Sequence, residues 1–468
     1  MNIEQIYTGC LAQGAYYIES NGEVAIIDPL REVQPYIDKA AQQNAEIKYI
    51  FETHFHADFV SGHVTLAEKT NAPIVYGPNA KPSFEAIIAE DNQEFRLGNI
   101  TIIALHTPGH TMESTSFLLR DEHGKDHALF SGDTLFLGDV GRPDLAQKAG
   151  EITVEDLASH LYASLREKIM PLADDVIIYP AHGAGSACGK NMMKETIDTL
   201  GNQKRVNYAL RADMTEAEFI KEVTDGLQPP PKYFPENVKL NKEGYDDVSE
   251  VLKRGTTALL PTEFEVIANE TNAIILDVRH QDEFVKGHIP RSIFIGLDGG
   301  FAPWVGALIA DTQQPILLVV PENREEEAVT RLSRVGFDHT LGYLQGGFDA
   351  WKKASKEYDT ISSISPAIFE EAYQENITIF DVRRSGEFQS EHIIEAQNTP
   401  LDYINNHLAA FPKEETFYVH CAGGYRSVIA ASILKSRGIH NLINVEGGFK
   451  AIKETSIPVS NFVCPSSL

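Results

Sequence analysis

Short apolar runs of strand length recur through the first half of the chain, each bounded by turn-forming residues. Val24–Asp28, Tyr49–Glu52, Ile100–Leu105, Ala128–Ser131 and Val176–Tyr179 read as buried strands. Four of them lead directly into polar segments, THFHAD, HTPGH, GDT and PAHG. Side chains placed where a strand gives way to a loop sit on a rigid frame and remain free to meet a ligand. Apolar spacing over Asp156–Met170 follows the helical period, so the segment reads as mixed strand and helix. Beyond Leu227 the run QPPPKYFPEN is too rich in proline to continue a helix or a central strand, and it places a first boundary in or just after it, around Gly244.

The second half repeats itself. AIILDVRHQDEFVKGHIP over Ala273–Pro290 returns as ITIFDVRRSGEFQSEHII over Ile377–Ile394. Asp277, Val278, Arg279, Glu283, Phe284, His288 and Ile289 recur at a constant offset as Asp381, Val382, Arg383, Glu387, Phe388, His392 and Ile393. LQGGFDAW around Gly346 likewise returns as VEGGFKAI around Gly447. Each unit also carries a central apolar run, Ile316–Val320 or Thr416–His420, followed by a helical pattern ending at Gly336 or Gly438. Two small α/β domains with largely parallel sheets are predicted, joined near Lys356–Ser365. The expected domains are residues 1–244, 255–356 and 361–460.

Composition narrows the function classes. A chain of 468 residues exceeds one hydrophobic core. With 40 basic against 67 acidic side chains, its net charge of −27 argues against nucleic acid and anionic membranes as partners. The N-terminal residues show no basic-then-apolar leader pattern, and no apolar stretch is long enough to span a bilayer. Cys10, Cys188, Cys421 and Cys464 are scattered, with no CxxC pair, which fits a reducing, cytoplasmic setting where each thiol acts singly. Cys10 and Cys464 carry no surrounding motif, and Tyr16 and Tyr17 follow strand spacing and read as packing residues.

The most specific constellation is His54-x-His56-x-Asp58, then His110 in TPGHT, Asp133 in SGDT and His182 in YPAHG. One such histidine would ordinarily be a hydrogen-bonded residue at a strand end; the ordered set points to a metal site. It resembles the metallo-β-lactamase superfamily over about residues 1–230, which implies an αββα sandwich with metal at one edge. Dinuclear hydrolases of that superfamily, such as glyoxalase II, carry a further histidine after the aspartate, where this chain has Phe59. A phenyl ring has no lone pair, so a second metal would keep Asp58, His182 and a share of Asp133. The remaining set, His54, His110 and Asp133, has the two-histidine, one-carboxylate composition that suits non-haem iron. Six-coordinate Fe(II) so held keeps positions for a thiolate sulfur and for O2. The arrangement is similar to that of the persulfide dioxygenases, as is the GRPDL run Gly141–Leu145. The resemblance implies one Fe(II) per chain and a homo-oligomer. His56, Asp58 and His182 are expected to orient ligands or water, or to serve as further ligands. Zinc would accept the same three ligands.

VHCAGGYRS, residues 419–427, resembles the active-site loop of rhodaneses, and the two repeats resemble rhodanese domains over about residues 255–460. Cys421 would be the nucleophile, and Ala422, Gly423, Gly424 and Tyr425 the loop cradling its sulfur. Arg426 opens the following helix, and helix N-terminus and guanidinium together favour an anionic sulfur. The loop length matches sulfur transfer rather than the phosphatase-like branch of the fold. In the middle repeat Pro321 replaces the cysteine, and Glu322, Glu325, Glu326 and Glu327 would repel anions. That domain is expected to be a spacer or interface. Cys188, shortly after His182, is either a core filler or a substrate-relay thiol.

The combined expectation is a soluble multidomain α/β and α+β enzyme. Its partners would be a low-molecular-weight thiol persulfide, O2, and sulfite or thiosulfate. The rivals are a thioester hydrolase of the glyoxalase II type, and a sulfur carrier or sensor that consumes no oxygen.

Overall fold

The computed structural model describes residues 1–147, 151–373 and 377–464. It divides into one compact unit formed by Met1–Val248 with Ser333–Gly336, and a second formed by Ser249–Leu332 with the residues from Phe337 onward.

The first unit holds two six-stranded sheets. One runs in chain order through Asn2–Thr8, Gln13–Ser20, Glu23–Ile27, Glu46–Phe51, Ile74–Tyr76 and Ile87–Ile88. The other is ordered Asp198–Thr199, Ile177–Pro180, Asp126–Gly132, Thr115–Arg120, Ile100–His106 and Glu94–Leu97. Strand periodicity explains the layering, because alternate residues face opposite sides. Tyr16, Ile18, Ala25 and Ile27 meet Ile102, Ala104, Phe117 and Phe130 in the core between the sheets. Their neighbours Ala15, Tyr17, Val24 and Ile26 pack with Tyr36, Ala40 and Leu66 of the helices Gln34–Gln42 and His63–Thr70. Beyond the second sheet, Ile103, Leu105 and Leu118 pack with the helices Val154–Ser164 and Glu216–Thr224. This is the expected αββα sandwich, with Tyr16 and Tyr17 as packing residues. Each fully buried Leu, Ile or Phe contributes about 1.5–3 kcal/mol relative to exposure.

Two boundaries differ from expectation for identifiable reasons. The helix begins at Val154, before Asp156, because Thr153 and Asp156 form a reciprocal capping box. At its other end it widens into a π-turn over Leu165–Ile169. The proline-dense run contains the start of a helix, Phe234–Glu243, since Pro235 lies in its first turn, where a missing N–H costs nothing. Gly244 ends it at φ 100°.

The second unit contains two five-stranded parallel sheets of identical order. The first is Ala258–Leu259, Thr340–Leu344, Ile316–Val319, Ile274–Asp277, Ile293–Phe294; the second is Ser363–Ile364, Leu442–Val445, Phe417–His420, Thr378–Asp381, Gln397–Asn398. The repeated motif is a structural brace. Arg279 pairs with Asp277 at 2.6 Å and donates to Gly287 O at 2.9 Å; Arg383 pairs with Asp381 at 2.6 Å and donates to Glu391 O at 2.8 Å. His288 stacks on Phe284, and His392 on Phe388, each with ring centroids 4.0 Å apart. Among the described residues no helix is long and apolar enough to cross a membrane.

Candidate metal centre and sulfur-transfer loop

Strand ends of the first unit bring His54, His110 and Asp133 together, all buried, with one ligand atom of each within 4.8 Å of the others. Asp133 Oδ2 lies 3.4 Å from His110 Nε2 and 3.7 Å from His54 Nε2. That oxygen has no hydrogen-bond partner despite complete burial. A buried carboxylate oxygen left bare between two imidazole nitrogens is costly unless a cation meets it, so the three residues fit a metal ion. The far nitrogens are occupied: His110 Nδ1 donates to Arg142 O at 2.9 Å, and Thr53 Oγ1 sits 3.0 Å from His54 Nδ1. Both Nε2 atoms are thereby directed at Asp133. Burial would raise the Asp133 carboxyl, but His182, His54 and His110 hold it well below the usual carboxylate range. Burial, with His56 beside it, lowers His54, keeping it in the neutral form a ligand needs.

The GRPDL run has a defined part in this arrangement. Arg142 supplies the carbonyl that orients His110, while its guanidinium is anchored on Asp144 at 2.6 and 2.7 Å. At Gly141 a Cβ would fall 2.0 Å from Asp133 O and 2.9 Å from His110 Nδ1. Gly141→Ala is therefore expected to push both ligands apart and lower metal affinity by roughly 10–100-fold, read by titration against a competing chelator. Wild-type affinity in that variant would mean that this loop does not set the ligands.

His56, Asp58 and His182 divide between two further groups. His56 lies with Asp28 and Glu52, its Nε2 3.1 Å from Asp28 Oδ1 and 3.6 Å from Glu52 Oε2. Neither carboxylate carries a motif that would single it out. Burial and the adjacent Asp28 push the Glu52 carboxyl well above its ordinary value. Asp58 and His182 meet Cys188, which is 1% exposed. His182 Nδ1 donates to Asp133 Oδ1 at 2.7 Å, and its Nε2 is 2.8 Å from Asp58 Oδ2. Burial, with Asp58 and Asp133 nearby, raises the Cys188 thiol well above its ordinary value. Cys188 thus stands as a third potential ligand beside Asp58 and His182, where the sequence left only a share of Asp133. Phe59 is fully buried beside them, with its ring centroid 4.4 Å from that of His56 and 6.5 Å from that of His182, and offers carbon where a further histidine would offer nitrogen.

The helix after the proline run clamps the ligand loop. Asn241 Nδ2 donates to His56 O and Phe59 O, each at 2.8 Å, and Asn241 Oδ1 accepts from Ser61 N at 2.8 Å. Tyr233 OH donates to Asp58 O at 3.2 Å. Nothing in the local pattern marked these residues, because they act on backbone groups distant in sequence.

In the second unit Cys421 follows the strand Phe417–His420 and is 1% exposed. Gly424 N donates to its Sγ at 3.1 Å. Gly424 has φ 101°, a conformation that a residue with a Cβ adopts only under strain. Tyr425, expected in the loop, is the first residue of the helix Tyr425–Ser436. The second glycine pair, Gly447–Gly448, packs against this loop. Gly448, at φ 57°, would place a Cβ 2.4 Å from Cys421 O, and Phe449 N donates to that oxygen at 2.6 Å. Arg426 does not face the sulfur alone, since it makes a two-pronged pair with Glu387 at 2.6 and 2.8 Å. Trp304, Arg384, Glu387, Cys421, Gly423, Tyr425 and Arg426 line one cavity of about 280 Å³. In the middle domain the strand register puts Val320, not Pro321, at the place of Cys421, directly after the matching strand Ile316–Val319, and valine offers no nucleophile either.

An αββα unit with a buried group of potential metal ligands, followed by paired parallel α/β domains, defines the class. The family model for the metallo-β-lactamase superfamily matches residues 8–182, and that for the rhodanese-like domain matches residues 260–354 and 365–455. Hydroxyacylglutathione hydrolase GloC of Haemophilus influenzae is 31% identical over 235 residues, covering 45% of this chain and 99% of that protein. A metallo-β-lactamase from Staphylococcus aureus subsp. aureus COL has a TM-score of 0.65 at 32% identity, covering 74% of this chain and 98% of its own. ETHE1 from Myxococcus xanthus has a TM-score of 0.45 at 28% identity, covering 52% and 98%. The chain belongs to the metallo-β-lactamase superfamily and carries two rhodanese-like domains.

Proposed function

We propose that the first unit oxidises the terminal sulfur of a low-molecular-weight thiol persulfide and that the last domain transfers sulfane sulfur through Cys421. The first reaction is RSSH + O2 + H2O giving RSH, sulfite and two protons. In the second, Cys421 attacks the outer sulfur of RSSH and releases RSH. Sulfite then attacks the outer sulfur of the Cys421 persulfide, giving thiosulfate and the free thiolate.

The observation that carries this reading is the unpartnered Asp133 Oδ2 facing His54 Nε2 and His110 Nε2. Two imidazoles and one carboxylate suit Fe(II), which supplies when bound the redox change that dioxygen chemistry requires. His54 and His110 present their Nε2 atoms because Thr53 and the Arg142 carbonyl engage the other ring nitrogen. Asp133 contributes the charge, and His182 donates to its second oxygen. The protein expressed and purified without oxygen is expected to hold one iron per chain and to consume O2 when given an organic persulfide.

Two observations favour a second reading, hydrolysis of a thioester at two metals. Asp58, His182 and Cys188 form a second group of potential ligands, and GloC is named a hydroxyacylglutathione hydrolase. That relative covers under half of this chain and leaves Cys421 without a role. Two zinc ions per active chain, with thioester cleavage and no O2 uptake on persulfide, would establish hydrolysis instead.

A further inference from the structure

The helix Tyr425–Ser436 is apolar on nearly every side, SVIAASIL, and Ser427 through Leu434 are all buried. A helix with no polar face must be covered on both sides. One side packs on its own domain's sheet, and the middle domain covers another. Tyr425 OH donates to Gly296 O at 2.8 Å, and Phe294 N donates to Ser432 Oγ at 3.0 Å. The contact at the loop is close: a Cβ on Gly299 would come within 2.3 Å of the Tyr425 ring.

That docking places the helix Phe301–Leu308 of the middle domain against the sulfur-transfer site. Gly299 and Gly300 precede it and lie under Tyr425 and Trp304, and at its far end Leu308 O accepts from Asn405 Nδ2 at 3.2 Å. Phe301, Ala302, Val305 and Leu308 are buried, whereas Trp304 is only half-buried and forms a wall of the cavity that holds Cys421. The same cavity is lined by two cations of different availability. Arg426 is committed to Glu387, while Arg384 is 68% exposed, with Asp402 at 3.8 Å.

We infer that the middle domain, which lacks a nucleophile, sets the substrate preference of the last domain through Trp304, and that the cavity takes an organic thiol carrying an anionic group. This rests on the assignment of Cys421 as the sulfur carrier. A cavity of about 280 Å³ is larger than sulfite or thiosulfate fills and approaches the ~300–1,000 Å³ of small-molecule sites. The indole face covers the carbon part of the thiol, and Arg384 meets its carboxylate. In the transfer, the acceptor thiolate bonds to the outer sulfur of the Cys421 persulfide. The bond to Sγ breaks, and Cys421 leaves as thiolate, with no net oxidation.

The test uses the full chain with thiosulfate as donor and glutathione, cysteamine or cyanide as acceptor. Wild-type protein is first checked for a persulfide on Cys421 by mass spectrometry. Trp304→Ala should lower the ratio of kcat/KM for glutathione to kcat/KM for cyanide by roughly ten-fold, with Trp304→Phe recovering most of it. Arg384→Ala should lower the same ratio for glutathione and not for cysteamine. A ratio unchanged in Trp304→Ala, or both acceptors losing rate in step, would overturn the inference about the middle domain. No persulfide on wild-type Cys421 would instead remove the sulfur-carrier assignment beneath it.

Discussion

Asp133→Ala is expected to abolish oxygen uptake on a thiol persulfide while Cys421 still takes up sulfur from thiosulfate. Asp133 supplies the one carboxylate of the His54–His110–Asp133 group, and its Oδ2 is the atom those imidazoles surround. Its other oxygen accepts from His182, so the substitution also releases that ring. Removing a group that merely orients a ligand costs about 10–100-fold in metal affinity, and loss of a charged ligand should cost more. Metal content and an oxygen electrode read the effect. Asp133→Asn separates charge from shape, because it keeps the size and can still accept from His182. Sulfur uptake by Cys421 reports that the second unit has folded, and a circular dichroism spectrum unchanged from wild type reports the same of the first. Persistent O2 uptake in Asp133→Ala would mean that the metal, or the chemistry, lies elsewhere.

The layers of the first unit were legible because strand alternation is local. Tyr16 and Tyr17, adjacent in sequence, bury on opposite sides of one sheet, as a period of two requires. The grouping of His54, His110 and Asp133 was legible for a related reason, since each follows a strand that could be read from its own residues. What the pattern did not disclose is which atoms those strands turn toward. His56 is drawn to Asp28 and Glu52, and Asp28 ends a different strand with no motif around it. Cys188 reaches Asp58 through a loop whose path no spacing encodes.

The middle domain shows the same limit from the other side. The register places Val320 where comparison of the repeats put Pro321, a slip of one residue at this loop, and an interface role alone does not describe a domain that also brings Trp304 to the cavity holding Cys421. Trp304 belongs to no repeated motif, so comparing the two repeats could not mark it. One signal was present: SVIAASIL has no polar face, which requires a partner on a second side of that helix. The arginines illustrate how a brace and a site are told apart. Arg279 and Arg383 recur because they hold backbone carbonyls in both domains, whereas Arg426 appears only beside Cys421.

Cys421→Ser should leave oxygen uptake intact and make sulfite accumulate in place of thiosulfate. The substitution keeps the shape of the loop, where Gly424 N now points at the side-chain sulfur and Gly448 and Phe449 hold the Cys421 backbone. What changes is chemistry: a serine hydroxyl stays protonated and attacks sulfane sulfur poorly, so transfer should fall to background. The residues proposed to bind iron lie in the first unit and are untouched, so sulfite formation should continue. Mass spectrometry of products, under the same persulfide supply for wild type and variant, distinguishes three results. Sulfite in place of thiosulfate supports oxidation followed by transfer. Thiosulfate at the wild-type rate would show that Cys421 is not the transferase. Loss of oxygen uptake would show that Cys421 delivers sulfur to the metal centre, which reverses the order: thiosulfate and thiol would then form the persulfide that the first unit oxidises.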